Sequence, residues 1–354
     1  MKLFIRLTPF IFLIPTILSG CATTEEINAT DPHALVNKGI EYIDKGNPDQ
    51  AIAYANKAIN INPDFTMAYI LRGSAYHNKG QYDQAIEDSS KAKFKPLLAQ
   101  AYHGRGAAYL KRGLYNKAIL DNSKALELNP RYVGAYYNRG VAYIELRQYD
   151  KAIADHHKAL EINPNYALAY NGRGLAYMHI GKYDKAISDY NKAIRLNPMF
   201  YEAYNNRALA YKDLGQYDKA ISDCNKAIEI DPRIANAYAS RGIVYKNTGQ
   251  HAKAISDYSI AIELNPRFAE AYIHRANAYA YLNKDQIDKA ISDYNKAIEI
   301  NPKLAFAYNN RAIAYFHKAQ YGKAWDDVYK AQNLGYKVSP DFLRFLRQAS
   351  GRQE

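Results

Sequence analysis

Eight arginines and eight aspartates recur in step along this 354-residue chain, and their types and spacing carry the plainest chemistry in it. Arg72, Arg105, Arg139, Arg173, Arg207, Arg241, Arg275 and Arg311 stand about 34 residues apart. Asp88, Asp121, Asp155, Asp189, Asp223, Asp257, Asp293 and Asp327 follow them 16 or 18 residues later. A guanidinium is a planar fork that meets a carboxylate or a phosphate at two points. The pattern therefore allows a ladder of arginine–carboxylate bonds between helices, or a stripe of arginines held out to anionic ligands. The ladder is favoured, because Lys38 replaces the arginine in the same unit where Tyr54 replaces the aspartate.

Other reactive groups form no constellation. The nine histidines are scattered, and the neighbours His156 and His157 cannot bring both rings to one helix face at ligand spacing, so no metal is expected. No glycine-rich phosphate loop, no nucleophile elbow and no acid pair stands outside the repeating pattern. Neither an enzyme nor a cofactor is expected.

The elements that must position the arginines are legible from the same period. Pro130, Pro164, Pro198, Pro232 and Pro266 lie 34 residues apart; the interval from Pro63 to Pro130 is one residue short of two units, and that from Pro266 to Pro302 is two residues long, with the extra length near Asn283 to Gln286. Within a unit the small and apolar residues recur at helical spacing, which predicts two amphipathic helices and a tight turn. Gly46, Gly80, Gly113, Gly181, Gly215 and Gly249 end the first helix where positive φ is needed. Asp83, Asp150, Asp184, Asp218 and Asp288 open the second, near the positive end of its dipole. An Asn-Pro or Asp-Pro pair closes it. Two alanine columns, from Ala51 to Ala324 and from Ala58 to Ala331, and a tyrosine column, from Tyr42 to Tyr315, are filled identically in nine units. The reading places Tyr177 and its equivalents over the small residue three positions earlier, Gly174 or Ala208, as packing.

These units resemble tetratricopeptide repeats, whose 34-residue pattern places aromatic, leucine, glycine, tyrosine, alanine and proline at the matching positions. The arginine column departs from that pattern, standing where the family usually has leucine. The resemblance implies an all-α, right-handed α-solenoid of about nine helix pairs at 32–65, 66–98, 99–132, 133–166, 167–200, 201–234, 235–268, 269–304 and 305–338, with a capping helix and tail in 339–354. It also implies that the first helices line a concave groove for extended peptides or helices. Carried onto this chain, the groove positions are Met67, Ile70, His103, Tyr137, Ile144, Asn171, Leu175, Met178, Asn205, Leu209, Asn236, Ile243, Asn277, Phe306, Asn309 and Phe316. They vary between units while the packing columns do not. The lysine, asparagine and arginine set with which some members clamp a carboxylate is missing from the corresponding places, so that specificity is not carried over.

The amino-terminal text differs. Lys2 and Arg6 precede an apolar run from Leu7 to Leu18, too short for a mature membrane span and shaped as an export signal in 1–20. It ends in Leu18-Ser19-Gly20-Cys21, which resembles the bacterial lipoprotein cleavage box. That resemblance implies a lipid on Cys21, a linker over 21–31 and a place in the cell envelope, at the outer membrane facing the periplasm, because Ala22 stands where an inner-membrane protein of this kind carries aspartate. Ten linker residues reach about 35 Å when extended. With Cys21 lipidated, Cys224 has no partner for a disulfide and reads as a packing residue.

The chain has 47 basic and 35 acidic residues, a net +12 that becomes +10 on loss of Lys2 and Arg6. Lysines recur beside acids at fixed positions of the second helices, a solvated face rather than a nucleic-acid site. Ser339-Pro340-Asp341 predicts a last helix whose Phe342, Leu343, Phe345 and Leu346 cover the end of the array. The sum is a membrane-anchored scaffold or adaptor that binds proteins or peptides, of the layout found in periplasmic protease adaptors, outer-membrane assembly components and secretin pilotins. A structural spacer or self-assembling array with an empty groove is the alternative.

Overall fold

A computed structural model describes residues 31–282 and 284–352; among these, α-helices and one short 3-10 turn are the only regular elements. The export-signal segment, Cys21 and nearly all of the linker lie outside the described residues. Two compact units meet in sequence at Gly104 and Arg105. The first holds α1 (Pro32–Asp44), α2 (Pro48–Ile61), α3 (Thr66–Asn78), α4 (Tyr82–Lys91) and the beginning of α5 (Lys95–Lys111).

The second holds the end of α5 and then α6 (Tyr115–Leu128), α7 (Val133–Glu145), α8 (Tyr149–Ile162), α9 (Ala167–His179), α10 (Tyr183–Leu196), α11 (Tyr201–Asp213) and α12 (Tyr217–Ile230). It continues through α13 (Ala235–Asn247), α14 (His251–Leu264), α15 (Ala269–Leu282), the 3-10 turn Lys284–Gln286, α16 (Ile287–Ile300), α17 (Ala305–His317), α18 (Tyr321–Asn333) and α19 (Pro340–Ser350). Consecutive helices pair, and within each compact unit first helices also pack on the first helix of the next pair, as α1 does on α3, α7 on α9 and α11 on α13. This is an α-solenoid of stacked helix pairs.

Local chemistry sets the boundaries. Asp31 caps α1 by accepting from the His33 and Ala34 amides at 2.9 and 3.3 Å, with Pro32 in the first turn. Gly181 adopts φ +71°, and the amides of Gly181 and Lys182 return to the carbonyls of Met178 and Tyr177, closing α9. Arg147 and Ala319 hold the same place with φ of +59° and +56°, so two turns form without glycine. The aspartates expected to open the second helices sit inside the first turn, as Asp184 does in α10, while the preceding Lys182 makes no side-chain cap. At the far end Asn197 is extended before Pro198, and its side chain accepts from the Met199 amide at 3.1 Å, an Asx turn that reverses the chain. In the shortened second repeat α4 has ten residues, Lys93 takes φ +51°, and Pro96 enters the first turn of α5.

Both alanine columns are sealed: Ala118, Ala152, Ala186, Ala220, Ala125, Ala159, Ala193 and Ala227 have no exposed surface. The ring above Gly174 belongs to Tyr190, from the second helix, and not to Tyr177; a Cβ on Gly174 would lie 2.7 Å from that ring. Tyr258 covers Gly242 in the same way. Tyr177 is half-buried with the Lys185 ammonium 5.7 Å above it, because its ring lies at the helix–helix edge where a long cation can cover it. On α19, Leu346 is fully buried against a cluster containing Tyr308, Trp325 and Val328, and Phe342 and Leu343 pack beside it. Phe345 departs from the expected stripe and is half exposed, since its position turns it to the opposite face.

Candidate functional site

The arginine column resolves as the ladder. Arg173 donates from Nε and Nη2 to the two oxygens of Asp189, each at 2.8 Å. The same two-point bond joins Arg139 to Asp155 at 2.7 and 2.8 Å, Arg241 to Asp257 at 2.8 Å twice, and Arg275 to Asp293 at 2.8 Å twice. Arg72 and Asp88 do likewise in the first compact unit. The aspartates are buried and the arginines mostly so. The bonds from Asp155 hold the Arg139 guanidinium above its ordinary value, against the opposing cost of burial.

A third contact was not anticipated. The remaining Nη1 reaches back to the second helix of the preceding pair: Arg139 to Ser123 Oγ at 3.0 Å, Arg241 to Asn225 Oδ1 at 2.6 Å, Arg275 to Ser259 Oγ at 2.9 Å and Arg311 to Asn295 Oδ1 at 2.5 Å. Arg207 bonds Asn191, and Arg173 meets His157 Nδ1 at 3.1 Å. These six arginines thus tie their own pair of helices and the pair before it. Tyrosines flank the group: the Arg207 Cζ lies 5.5 Å from the Tyr204 ring and 5.8 Å from that of Tyr211. The sequence signal for the third contact is the column of Asn, Ser and His residues that runs through Asn56, Ser123, His157, Asn191 and Asn225. Such committed guanidinium groups form mortar rather than an anion-binding stripe.

Where Lys38 and Tyr54 replace the ion pair, Tyr54 stacks on Tyr42 at 5.5 Å and Lys38 turns outward to Glu41 at 2.8 Å.

One further column faces the core. Asn122, His156, Tyr190, Cys224 and Tyr258 are all fully buried. His156 is wedged between two glycines: a Cβ on Gly140 or Gly172 would lie 2.8 or 2.6 Å from the ring. Burial pushes the imidazole down to about 3, so it is neutral in the fold. Burial likewise pushes the Cys224 thiol up to about 12, which makes it a packing group and not a nucleophile. No set of three His, Cys, Asp or Glu side chains that could hold a metal exists among the described residues.

The expected groove residues separate by burial. Met67, Asn236 and Phe306 are exposed, and Ile70, His103, Met178, Leu209, Ile243, Asn277 and Phe316 are half-buried. Tyr137, Ile144, Asn171, Leu175, Asn205 and Asn309 are buried, which corrects their reading as contact surface. Their surroundings explain this. Asn171 accepts from Asn206 Nδ2 at 3.0 Å between successive first helices, and Tyr137 lies 5.6 Å from the rings of both His156 and Tyr166. Leu175 and Ile144 share a cluster with Ala152 and Ala176. Asn309 donates to Asn310, and Asn310 to Asn277, at 3.2 and 3.1 Å. Close approach of neighbouring first helices thus turns part of the expected reading surface into joint. Within the second unit, Met178, Leu209, Asn236, Ile243, Asn277, Phe306 and Phe316 keep surface.

Paired helices, cross-tied at one register and without reactive clusters among the described residues, define a tandem α-helical repeat protein. The tetratricopeptide repeat model matches residues 32–65, 99–132, 133–166, 167–200, 201–234 and 235–268, more than half of the chain, and related repeat models match 54–87 and 278–318. The chain belongs to the tetratricopeptide repeat family, whose members bind other proteins or peptides.

Solved structures share the fold. The Cut9–Hcn1 hetero-tetramer of the APC/C is similar over 90% of this chain and 76% of that one, with 16% identity and a TM-score of 0.62. Yeast Tom70 is similar over 91% and 89%, with 16% identity and a TM-score of 0.55. A tetratricopeptide repeat protein from Parabacteroides merdae is similar over 70% and 98%, with 24% identity and a TM-score of 0.52. No curated protein matches the chain in sequence.

Proposed function

We propose that this protein is a non-enzymatic scaffold of the bacterial cell envelope, carried on a lipid at Cys21 at the outer membrane and binding a protein or peptide along its first helices. The observation that carries the reading is the contrast between columns. The arginine, aspartate and alanine positions repeat with little change, and their side chains are spent on packing. The surface left on the first helices changes from pair to pair: Met178, then Leu209, then Asn236 with Ile243, then Asn277, then Phe306 with Phe316. Apolar side chains beside amides suit a partner that brings both apolar side chains and backbone polar groups.

The test is photo-crosslinking in living cells. A benzophenone amino acid at Phe306, where aromatic replaces aromatic, is compared with one at Ser256, exposed on the second helix α14. A discrete protein captured from position 306 and absent from 256 is the expected result. Equal background from both positions refutes binding by the first helices. Anchoring is tested separately by the mass of the mature amino-terminal peptide, which must contain acylated Cys21; an unmodified cysteine there overturns the membrane address.

A further inference from the structure

We infer that the outer face of α19 is a docking surface for anionic lipid headgroups. The buried side of this helix, Phe342, Leu343 and Leu346, is spent on capping the array. Its other side presents Arg344, Arg347 and Gln348, and Arg352 follows just beyond the helix end at Gly351; these residues surround an open depression of about 450 Å³. The one acid in α19 is Asp341, paired with Arg344 at 2.9 Å. Arg352 lies over the Trp325 ring, its Cζ 5.6 Å from the centroid, and Arg344 lies 5.2 Å from the ring of Phe345. Stacking leaves the edge of a guanidinium, where its N–H donors point, open to an acceptor.

The ladder sharpens the contrast. The column arginines are each matched by a buried aspartate, whereas this face carries three arginines against one exposed aspartate. Charge complementarity calls for anions, and guanidinium donors suit phosphate oxygens. Phe345, half exposed between the arginine side and solvent, adds an apolar group that free phosphate would not use and that the interfacial layer of a membrane would accept. The contact is independent of whether Cys21 is acylated.

Hydrogen exchange of the full chain on vesicles tests this. Phosphatidylcholine vesicles are compared with vesicles containing phosphatidylglycerol, which receive the amino-terminal segment alike, and exchange is followed across residues 340–350. Exchange there is expected to slow at least threefold on the anionic vesicles alone. The slowing is lost in the variant Arg344→Gln, Arg347→Gln, Arg352→Gln and reduced in Phe345→Gln, which keeps every charge. Equal exchange on the two vesicle types overturns the inference, as does full slowing in the triple variant. The same slowing produced by inorganic phosphate without vesicles also overturns it, in favour of a soluble anion.

Discussion

Asp189 accepts both hydrogen bonds of the Arg173 fork, and asparagine at that position keeps a single acceptor and no charge. Asp189→Asn is therefore expected to cost about 2–3 kcal/mol, the range for losing charged hydrogen bonds beside a mostly buried cation. The loss should be local, read as faster hydrogen exchange in α9 and α10 with α17 and α18 unchanged, because repeat arrays transmit stability between neighbours. His156 gives a pH dependence with a definite sign. Unfolded, it binds a proton near pH 6.5; folded, it does so only near 3. The stability that comes with keeping it neutral is complete above about pH 6.5 and drains away as pH falls toward 3. The slope of about 1.4 kcal/mol per pH unit makes the loss between pH 7 and pH 5 about 2 kcal/mol. His156→Phe should remove that share, measured as a smaller difference between urea midpoints at the two pH values; an unchanged difference would contradict the neutral, wedged ring.

At the scale of elements, most of the fold could be read before any coordinates. The Asn-Pro and Asp-Pro stops mark helix ends at Asn163, Asn197 and Asp231, and the turn glycines take φ near +70°. The arginine–aspartate tie was visible because both columns fail together in the first repeat, at Lys38 and Tyr54. Less visible was whatever depends on how tightly neighbouring pairs approach. The variable positions of the first helices look alike in sequence, yet they divide by their place on the helix: Asn205 is buried, as are Tyr137, Asn171 and Asn309 at the same place in their repeats, while Asn236 stands three places nearer the start of its helix and is exposed. The turns at Arg147 and Ala319 were also hidden, since side chains there bear a left-handed conformation that the surrounding hydrogen bonds impose. Arg147→Gly and Ala319→Gly should each stabilise the chain by about 1 kcal/mol, the approximate strain of that conformation in an L-residue, seen as a raised urea midpoint. A lowered midpoint would show that the side chains contribute more than the strain costs.

For the molecule as a whole, structure and recognition are divided between different columns of one repeat. Among the described residues no helix is long and apolar enough to cross a membrane. Within the second unit the aspartates, arginines and alanines join each pair to the next, and the exposed first-helix residues are spared that task. Substitutions in the two sets should then have separable effects. With the protein captured from position 306 in hand, the decisive measurement is its Kd for three forms of the chain: wild type, Asp223→Asn, and Asn236→Ala combined with Phe306→Ala. Asp223→Asn should lower the thermal midpoint yet leave Kd within twofold at 25 °C. The double variant should weaken binding at least tenfold with an unchanged midpoint. The opposite pattern, affinity following the buried aspartate and indifferent to the exposed first-helix residues, would contradict the division on which this account rests.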